Sequence, residues 1–349
     1  MVRVRVVNWR CIEDLELGLS RINFFIGKNS TGKSSLAYSI YFASRSSRYD
    51  PGTLLSHLRI LLSYLYGYND FNMIARLAEG KPQFPIVIEI EDSRLIVRDG
   101  SSVSVSMKTL WSDSFLLPSR RISYFQSMML LPKLIETSSK TPSRSEAQLM
   151  GGVLGFFAEI FKIVQGILSP PFMAFVDDYI RALAGFKSEI GGGFEGVGSY
   201  LIEISPLIHL MKPIFRDPYT KLEFPIELAP DGLLDFTIFD SVSQRIPENS
   251  LIVLEEPEIY KNPNMVMDFT KHVIKRVMER KSYIIMTTHS DIPLHVVSKL
   301  VVEGSLKAED VKIYYFKRDP WTMVSEIKIY EDGTLESLPD SEELITRLF

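Results

Sequence analysis

Gly27-Lys28-Asn29-Ser30-Thr31-Gly32-Lys33-Ser34 fits the pattern G-x-x-x-x-G-K-[ST] without a gap. An apolar run, Ile22 to Ile26, precedes it, and a helix-compatible run from Ser34 to about Ala43 follows. Strand, glycine loop and helix in that order make a phosphate cradle. The two glycines let the backbone curl so that its N–H groups face phosphate oxygens, and the helix N-terminus adds its positive dipole end. The expected phosphate contacts run from Gly27 through Ser35. Lys33 would reach the β/γ-phosphates, and the Ser34 hydroxyl would bind Mg²⁺.

Hydrolysis needs a second group of residues. Leu251-Ile252-Val253-Leu254 is a continuous apolar run of the kind a buried parallel strand shows, and it ends in Glu255-Glu256-Pro257-Glu258. Acids at the carboxyl end of such a strand lie where an open α/β sheet presents its ligand crevice. The adjacent pair, Glu255 and Glu256, suggests divided labour: one carboxylate holds the Mg²⁺ shell, and the other orients or deprotonates the attacking water. A third run, Tyr283-Ile284-Ile285-Met286, leads into Thr287-Thr288-His289-Ser290, which places His289 at another strand end as a γ-phosphate sensor.

Together these segments resemble the ABC-type ATPase class that includes the SMC, RecF and OLD families, and most closely its stand-alone, OLD-like AAA ATPases. Val7-Asn8-Trp9-Arg10-Cys11-Ile12-Glu13-Asp14-Leu15 resembles their N-F-R-x-F-x-x-L start, which implies that Arg10 lies near bound nucleotide. Glu256-Pro257-Glu258 with Asn262-Pro263 resembles E-E-P-E-x-x-L-H-P, and Thr287 to Ser290 resembles their switch-histidine motif. Leu117-Pro118-Ser119-Arg120 resembles a P-x-R of these proteins, with Gln126 as the candidate Q-loop glutamine. The resemblance implies ATP and Mg²⁺ as ligands, a homodimer closed through nucleotide, and coupling to DNA or to a protein partner such as a nuclease or other effector.

Two departures from that pattern matter. Glu255 stands where the family has a magnesium-side aspartate. Pro230-Asp231-Gly232, twenty-four residues before Glu256, occupies the place of a Ser-x-Gly signature, and Pro230 has neither hydroxyl nor N–H to offer a phosphate. Val301-Val302-Glu303-Gly304 resembles the first motif of a Toprim nuclease, but no Asp-x-Asp follows among the 45 residues after it, so nuclease activity is not expected. There is no Asn-Lys-x-Asp of a GTPase and no Leu-Ser-Gly-Gly-Gln of a transporter ATPase.

Composition narrows the rest. Of 349 residues 46% are hydrophobic and 23% charged, which excludes a disordered or low-complexity chain. The net charge of −4 disfavours coating of nucleic acid, leaving a local patch from Arg45, Arg48, Arg120, Arg121, Lys140 and Arg144 as the only basis for DNA contact. The single cysteine, Cys11, excludes an internal disulfide, and a charged, strand-like start argues for the cytoplasm. No apolar stretch reaches the roughly 18 residues of a membrane span. The longest, Gly151 to Val164, has the spacing of an amphipathic core helix.

The expected architecture is a P-loop NTPase of α/β class: an ABC-type head with a mixed sheet, an antiparallel meander over residues 85–106, and a helical insertion. Residues 1–129 would form an N-terminal lobe, 130–212 the mainly helical insertion, and 213–349 a C-terminal lobe. Leu54 to Leu77 is helix-patterned, and Lys307 to Phe316 reads as a late strand with its lead-in. About 220 residues separate Lys33 from the acidic pair, so both reach one nucleotide only if the chain forms a single head.

Overall fold

Three apolar runs with side chains buried on both faces set the fold. In the computed structural model, which describes residues 1–50, 52–106, 108, 110–129, 170–183, 189–194, 196–204 and 211–337, every residue of Ile22–Gly27 and Leu251–Glu255 is buried. Such strands cannot lie at a sheet surface, and they occupy the middle of one. The strands of this sheet are β3 (Ile22–Gly27), β9 (Ser114–Leu117), β14 (Leu251–Glu255), β15 (Tyr283–Thr288), β16 (Val311–Arg318) and β17 (Thr322–Ile327), in the order β17-β16-β3-β15-β14-β9. All neighbours are parallel except the β16–β17 hairpin.

Period-two alternation divides each run between two cores. Ile22, Phe24, Ile252, Leu254, Ile284 and Met286 join the core on one face, and Phe25, Leu251, Val253 and Ile285 join the core on the other. Each such side chain, fully buried, contributes roughly 1.5–3 kcal/mol. The second core is closed by a five-stranded antiparallel sheet, ordered β2-β1-β6-β7-β8: β1 (Val2–Trp9), β2 (Ile12–Leu19), β6 (Ile86–Ile90), β7 (Ser93–Val97) and β8 (Val103–Ser106). A two-residue pair, β4 (Leu77–Ala78) with β5 (Lys81–Pro82), flanks it. Helix α1 (Lys33–Ser46) lies between the two sheets and touches both, which is why nearly all of its side chains are buried. Helix α2 (Leu54–Tyr66) packs against α1.

The opposite face carries α3 (Phe172–Leu183), α4 (Asp231–Ser243), α5 (Pro263–Glu279) and α6 (Ile292–Val302). A third, four-stranded antiparallel sheet joins β10 (Glu189–Phe194), β11 (Gly198–Ile204), β12 (Met211–Arg216) and β13 (Glu223–Pro225) in chain order. Helix α4 is buried along its length beneath this sheet and against α5, consistent with its apolar residues running all round it.

The meander over 85–106 and the strand after Lys307 are as expected. Elsewhere the reading needs correction. Residues 189–204 are a β-hairpin rather than helix, since Gly191-Gly192-Gly193 disfavours helix while Ile190, Tyr200 and Ile202 alternate into the core. The helix begun at Leu54 stops at Tyr66, where Gly67 at φ 76° turns the chain. The sequence reading also passed over β2, whose Ile12, Leu15, Leu17 and Leu19 face the core. Val301 and Val302 end α6, and Gly304 at φ 69° is its turn rather than a nuclease motif. The helix expected over Gly151 to Val164, and Lys140 and Arg144 of the basic patch, lie outside the described residues. No helix among the described residues is long and apolar enough to cross a membrane.

Candidate functional site

The carboxyl ends of β3, β15 and β14 lie side by side, and each delivers one of the three segments. Register pairs Ile26 with Thr288, and Thr287 with Glu255. The loop after β3 is thus next to the histidine segment, which is next to the acidic pair. Together they wall an open cavity of about 730 Å³ that also includes Arg10, the loop from Asn29 to Ser35, Tyr68 and Trp321.

Gly27 takes φ 146°, and a Cβ there would lie 2.3 Å from the carbonyl oxygen of Phe316 on the neighbouring strand. Gly32 takes φ 106°, and a Cβ there would meet the Thr322 hydroxyl at 2.3 Å. Both positions therefore require glycine. The hairpin β16–β17 and the β1–β2 turn hold the loop from behind: the Thr322 hydroxyl donates to Thr31 O at 2.9 Å, and its N–H donates to Cys11 O at 2.9 Å. Arg318 Nη1 donates to Ser30 O at 3.3 Å. The sequence carried no mark for these supports, because they act through backbone atoms far away along the chain.

Lys33 is buried and folded onto its own loop, its ammonium donating to Gly27 O at 2.7 Å and Lys28 O at 2.8 Å. That posture holds a cation over the cradle, as an arriving polyphosphate requires. Ser34 at the start of α1 is exposed. Cradle, cation, hydroxyl and helix N-terminus are all directed to one anion.

The acidic pair is split by the wall of the cavity. Glu256 lines it, whereas Glu255 is 5% exposed and does not. Glu255 Oε2 accepts from the Tyr38 hydroxyl at 2.8 Å and from Ser119 N–H at 3.2 Å. Burial and that carboxylate push the Tyr38 phenol well above its ordinary range and keep it a donor. Glu256 sits at φ 47°, a left-handed conformation that a non-glycine residue adopts at a cost, and its N–H donates to Thr287 O at 2.8 Å. Burial first, then the charges of Glu255 and Glu258, raise the Glu256 carboxyl above its usual value.

His289 stands between Lys33 and Glu256. Its Nδ1 stands 3.5 Å from Lys33 Nζ, and its Nε2 stands 3.7 Å from Glu256 Oε1. Burial, then the Lys33 ammonium, lower its pKa, so the ring is neutral at neutral pH and able to donate one hydrogen bond. Glu258 orients this segment, its Oε1 accepting from the Thr288 hydroxyl at 2.9 Å and His289 N–H at 2.8 Å.

Arg10 lies on the cavity at the β1–β2 turn with φ 53°, its guanidinium 4.8 Å from the centre of the Tyr66 ring. Lys28 borders an adjoining cleft beside β16. Gln126 lies within a helical stretch that does not line the cavity. Arg121, not Arg120, is the buried arginine after Pro118. Of the six residues read as a basic patch, Arg45 pairs with Asp177, Arg48 with Asp113 and Arg121 with Asp235, and Lys140 and Arg144 lie outside the described residues. Pro230 and Asp231 are exposed at the start of α4, away from the residues that line the cavity. Among the described residues no group of three or more His, Cys, Asp or Glu side chains forms a metal cage.

Comparison with known proteins agrees with this geometry. Residues 1–141 match the family model for an AAA ATPase domain. The SMC head domain with an extended coiled coil bound to the C-terminal domain of ScpA, from Pyrococcus furiosus, is 13% identical with a TM-score of 0.51, over 100% of both chains. A second SMC head, bound to the C-winged helix domain of ScpA, is 12% identical with a TM-score of 0.51, over 98% of both chains. The chain thus has an SMC-head-like ATPase fold, mixed α/β with antiparallel strands and helices. No curated protein matches it.

Proposed function

We propose that this chain binds ATP with Mg²⁺ on the loop from Gly27 to Ser35 and hydrolyses it to ADP and phosphate. The observation that carries the reading is the meeting of the glycine cradle, Lys33, Glu256 and His289 on one cavity, from three strand ends far apart in sequence. Lys33 exchanges the carbonyls of Gly27 and Lys28 for β/γ-phosphate oxygens. Arg10, beside Tyr66, stands at the nucleotide's outer end. Ser34, exposed at the start of α1, would hold Mg²⁺, and Glu255, behind the wall, would hold it through a water, as suits an ion that keeps several waters. Magnesium, when bound, neutralises charge on the phosphates. Glu256 accepts the proton of the attacking water, and neutral His289 donates to the γ-phosphate. Catalysis is then positioning and electrostatics.

The test is Glu256→Gln. Hydrolysis should fall by about a hundredfold or more, with Mg-ATP binding retained; an unchanged rate overturns the assignment. We further propose the OLD-like subtype on the sequence motifs given above, with coupling to a protein partner in place of DNA, supported by the net charge of −4 and by the ion pairs that take up Arg45, Arg48 and Arg121. A second reading, a nucleotide-gated interaction module with little turnover, is favoured by Pro230, which offers a partner copy's phosphate nothing to bond. Turnover and solution mass measured in one ATP titration separate the two, since tight binding without hydrolysis leaves only the module.

A further inference from the structure

Arg121 is a fully buried arginine that touches no nucleotide-facing surface, yet it reaches the two residues on which hydrolysis depends. Its Nη1 donates to the carbonyls of Glu255 and of Pro118, and its Nη2 donates to Glu256 O at 3.4 Å. The rest of the fork is given to Asp235 on α4, which Nε and Nη2 hold as a two-point pair. Lys261 approaches the same carboxylate and also donates to Pro257 O at 2.9 Å and Ile259 O at 3.2 Å, so the turn after Glu256 is held as well. Burial alone would raise Asp235, but Arg121 and Lys261 hold it below its ordinary range, as an ionised carboxylate.

Glu256 needs such a restraint. A left-handed non-glycine backbone costs on the order of 1–3 kcal/mol and persists only where its surroundings fix it. One bond fixes the N–H of Glu256, to Thr287 O. We propose that Arg121 is the positioning residue of the hydrolytic base: it grips the peptide carbonyls on both sides of the left-handed turn and, through Asp235, ties that turn to α4, whose exposed beginning is Pro230-Asp231. This rests on the ATPase reading above. A shift of α4 carries Asp235 with it, and the guanidinium passes the shift to the peptide planes that aim Glu256. The planar fork pairs with the Asp235 carboxylate at two points while its terminal nitrogens reach three carbonyls, and the single nitrogen of a lysine cannot span that set.

The experiment compares the parent chain, Glu256→Gln and Arg121→Lys for ATP turnover, Mg-ATP affinity and thermal melting. The expected result for Arg121→Lys is a ten- to hundredfold fall in kcat, in line with the cost of a slight misplacement of a reacting group, with affinity within about threefold of the parent. Turnover that keeps pace with the parent while Glu256→Gln is dead overturns the positioning role and leaves the ATPase reading standing. A parent chain that binds Mg-ATP without hydrolysing it overturns both. If the Arg121→Lys chain does not fold, Asp235→Asn, which keeps the shape and removes the charge, must show the same split of kcat from affinity. A fall in both together assigns the pair to stability alone and overturns the proposal.

Discussion

Two clusters of buried arginine and aspartate lie at opposite ends of the central sheet. At the carboxyl ends Arg121, Asp235 and Lys261 grip the turn at Glu256. At the amino ends Arg45 and Arg48, near the last turn of α1, meet Asp113 at the start of β9 and Asp177 and Asp178 on α3, which Arg181 completes. The chemistry is the same and the recipients differ. The first cluster spends its donors on carbonyls beside a candidate catalytic carboxylate. The second spends them on Ser114 O and on aspartates that pin α3 to α1 and β9. Buried ion pairs are weak evidence for stability in themselves, so what each pair holds in place decides its meaning.

The largest effect expected is at the carboxyl ends. Lys33→Ala should lower turnover by roughly two to four orders of magnitude, because the cation over the phosphates is lost. Melting should change far less. A normal rate in the alanine variant would break the contrast at its root.

Next comes Arg45→Ala at the other cluster, which removes one of the two cations beside the buried Asp178, leaving Arg181, and should destabilise the fold by about 0.5–3 kcal/mol. Turnover per folded molecule should stay at the parent level. Loss of turnover in the folded variant would show that the two ends communicate through α1.

A smaller effect concerns pH. Glu256 must be ionised to accept a proton, and burial with its acidic neighbours raises its pKa. Turnover should therefore decline from neutrality toward acid earlier than an ordinary glutamate would dictate. Below its lowered pKa His289 becomes cationic, in reach of Lys33. The Glu256→Gln residual rate should lack the acid limb, and a limb that survives would assign it to another group.

Legibility in the sequence followed the same division. The strand ends that carry Gly27, Glu255 and His289 were readable because doubly buried parallel strands are written as unbroken apolar runs and because phosphate chemistry needs glycine, lysine and hydroxyl in fixed spacing. The hairpin at 189–204 was not, since its glycines interrupt the alternation and Phe172 to Leu183 before it is helical. Arg121 was missed by one position. Arg120 and Arg121 are indistinguishable on paper, and only the turn of the helix beginning there buries one and exposes the other. Thr322 and Arg318 support the loop through its carbonyls, and no side-chain pattern advertises a backbone acceptor.

The smallest predicted effect tests the amino-end cluster alone. Asp178 is fully buried, accepts from the Tyr41 hydroxyl at 2.8 Å and from Leu116 N–H at 2.6 Å, and faces Arg181 and Arg45. Burial outweighs those cations and raises its pKa to about 6. An acid whose pKa is raised by folding binds its proton more tightly in the folded chain than in the unfolded one. Its contribution is complete below the unfolded value near 3.9 and is lost as pH rises through about 6. Asparagine at 178 keeps the acceptor oxygen and cannot ionise. The stability lead of the parent over Asp178→Asn, read from denaturant midpoints, should therefore shrink between pH 4 and pH 7, while turnover of the two stays equal throughout. A lead that widens over the same interval would mean that the arginines outweigh burial, and that this cluster, like the one beside Glu256, holds a fully ionised carboxylate.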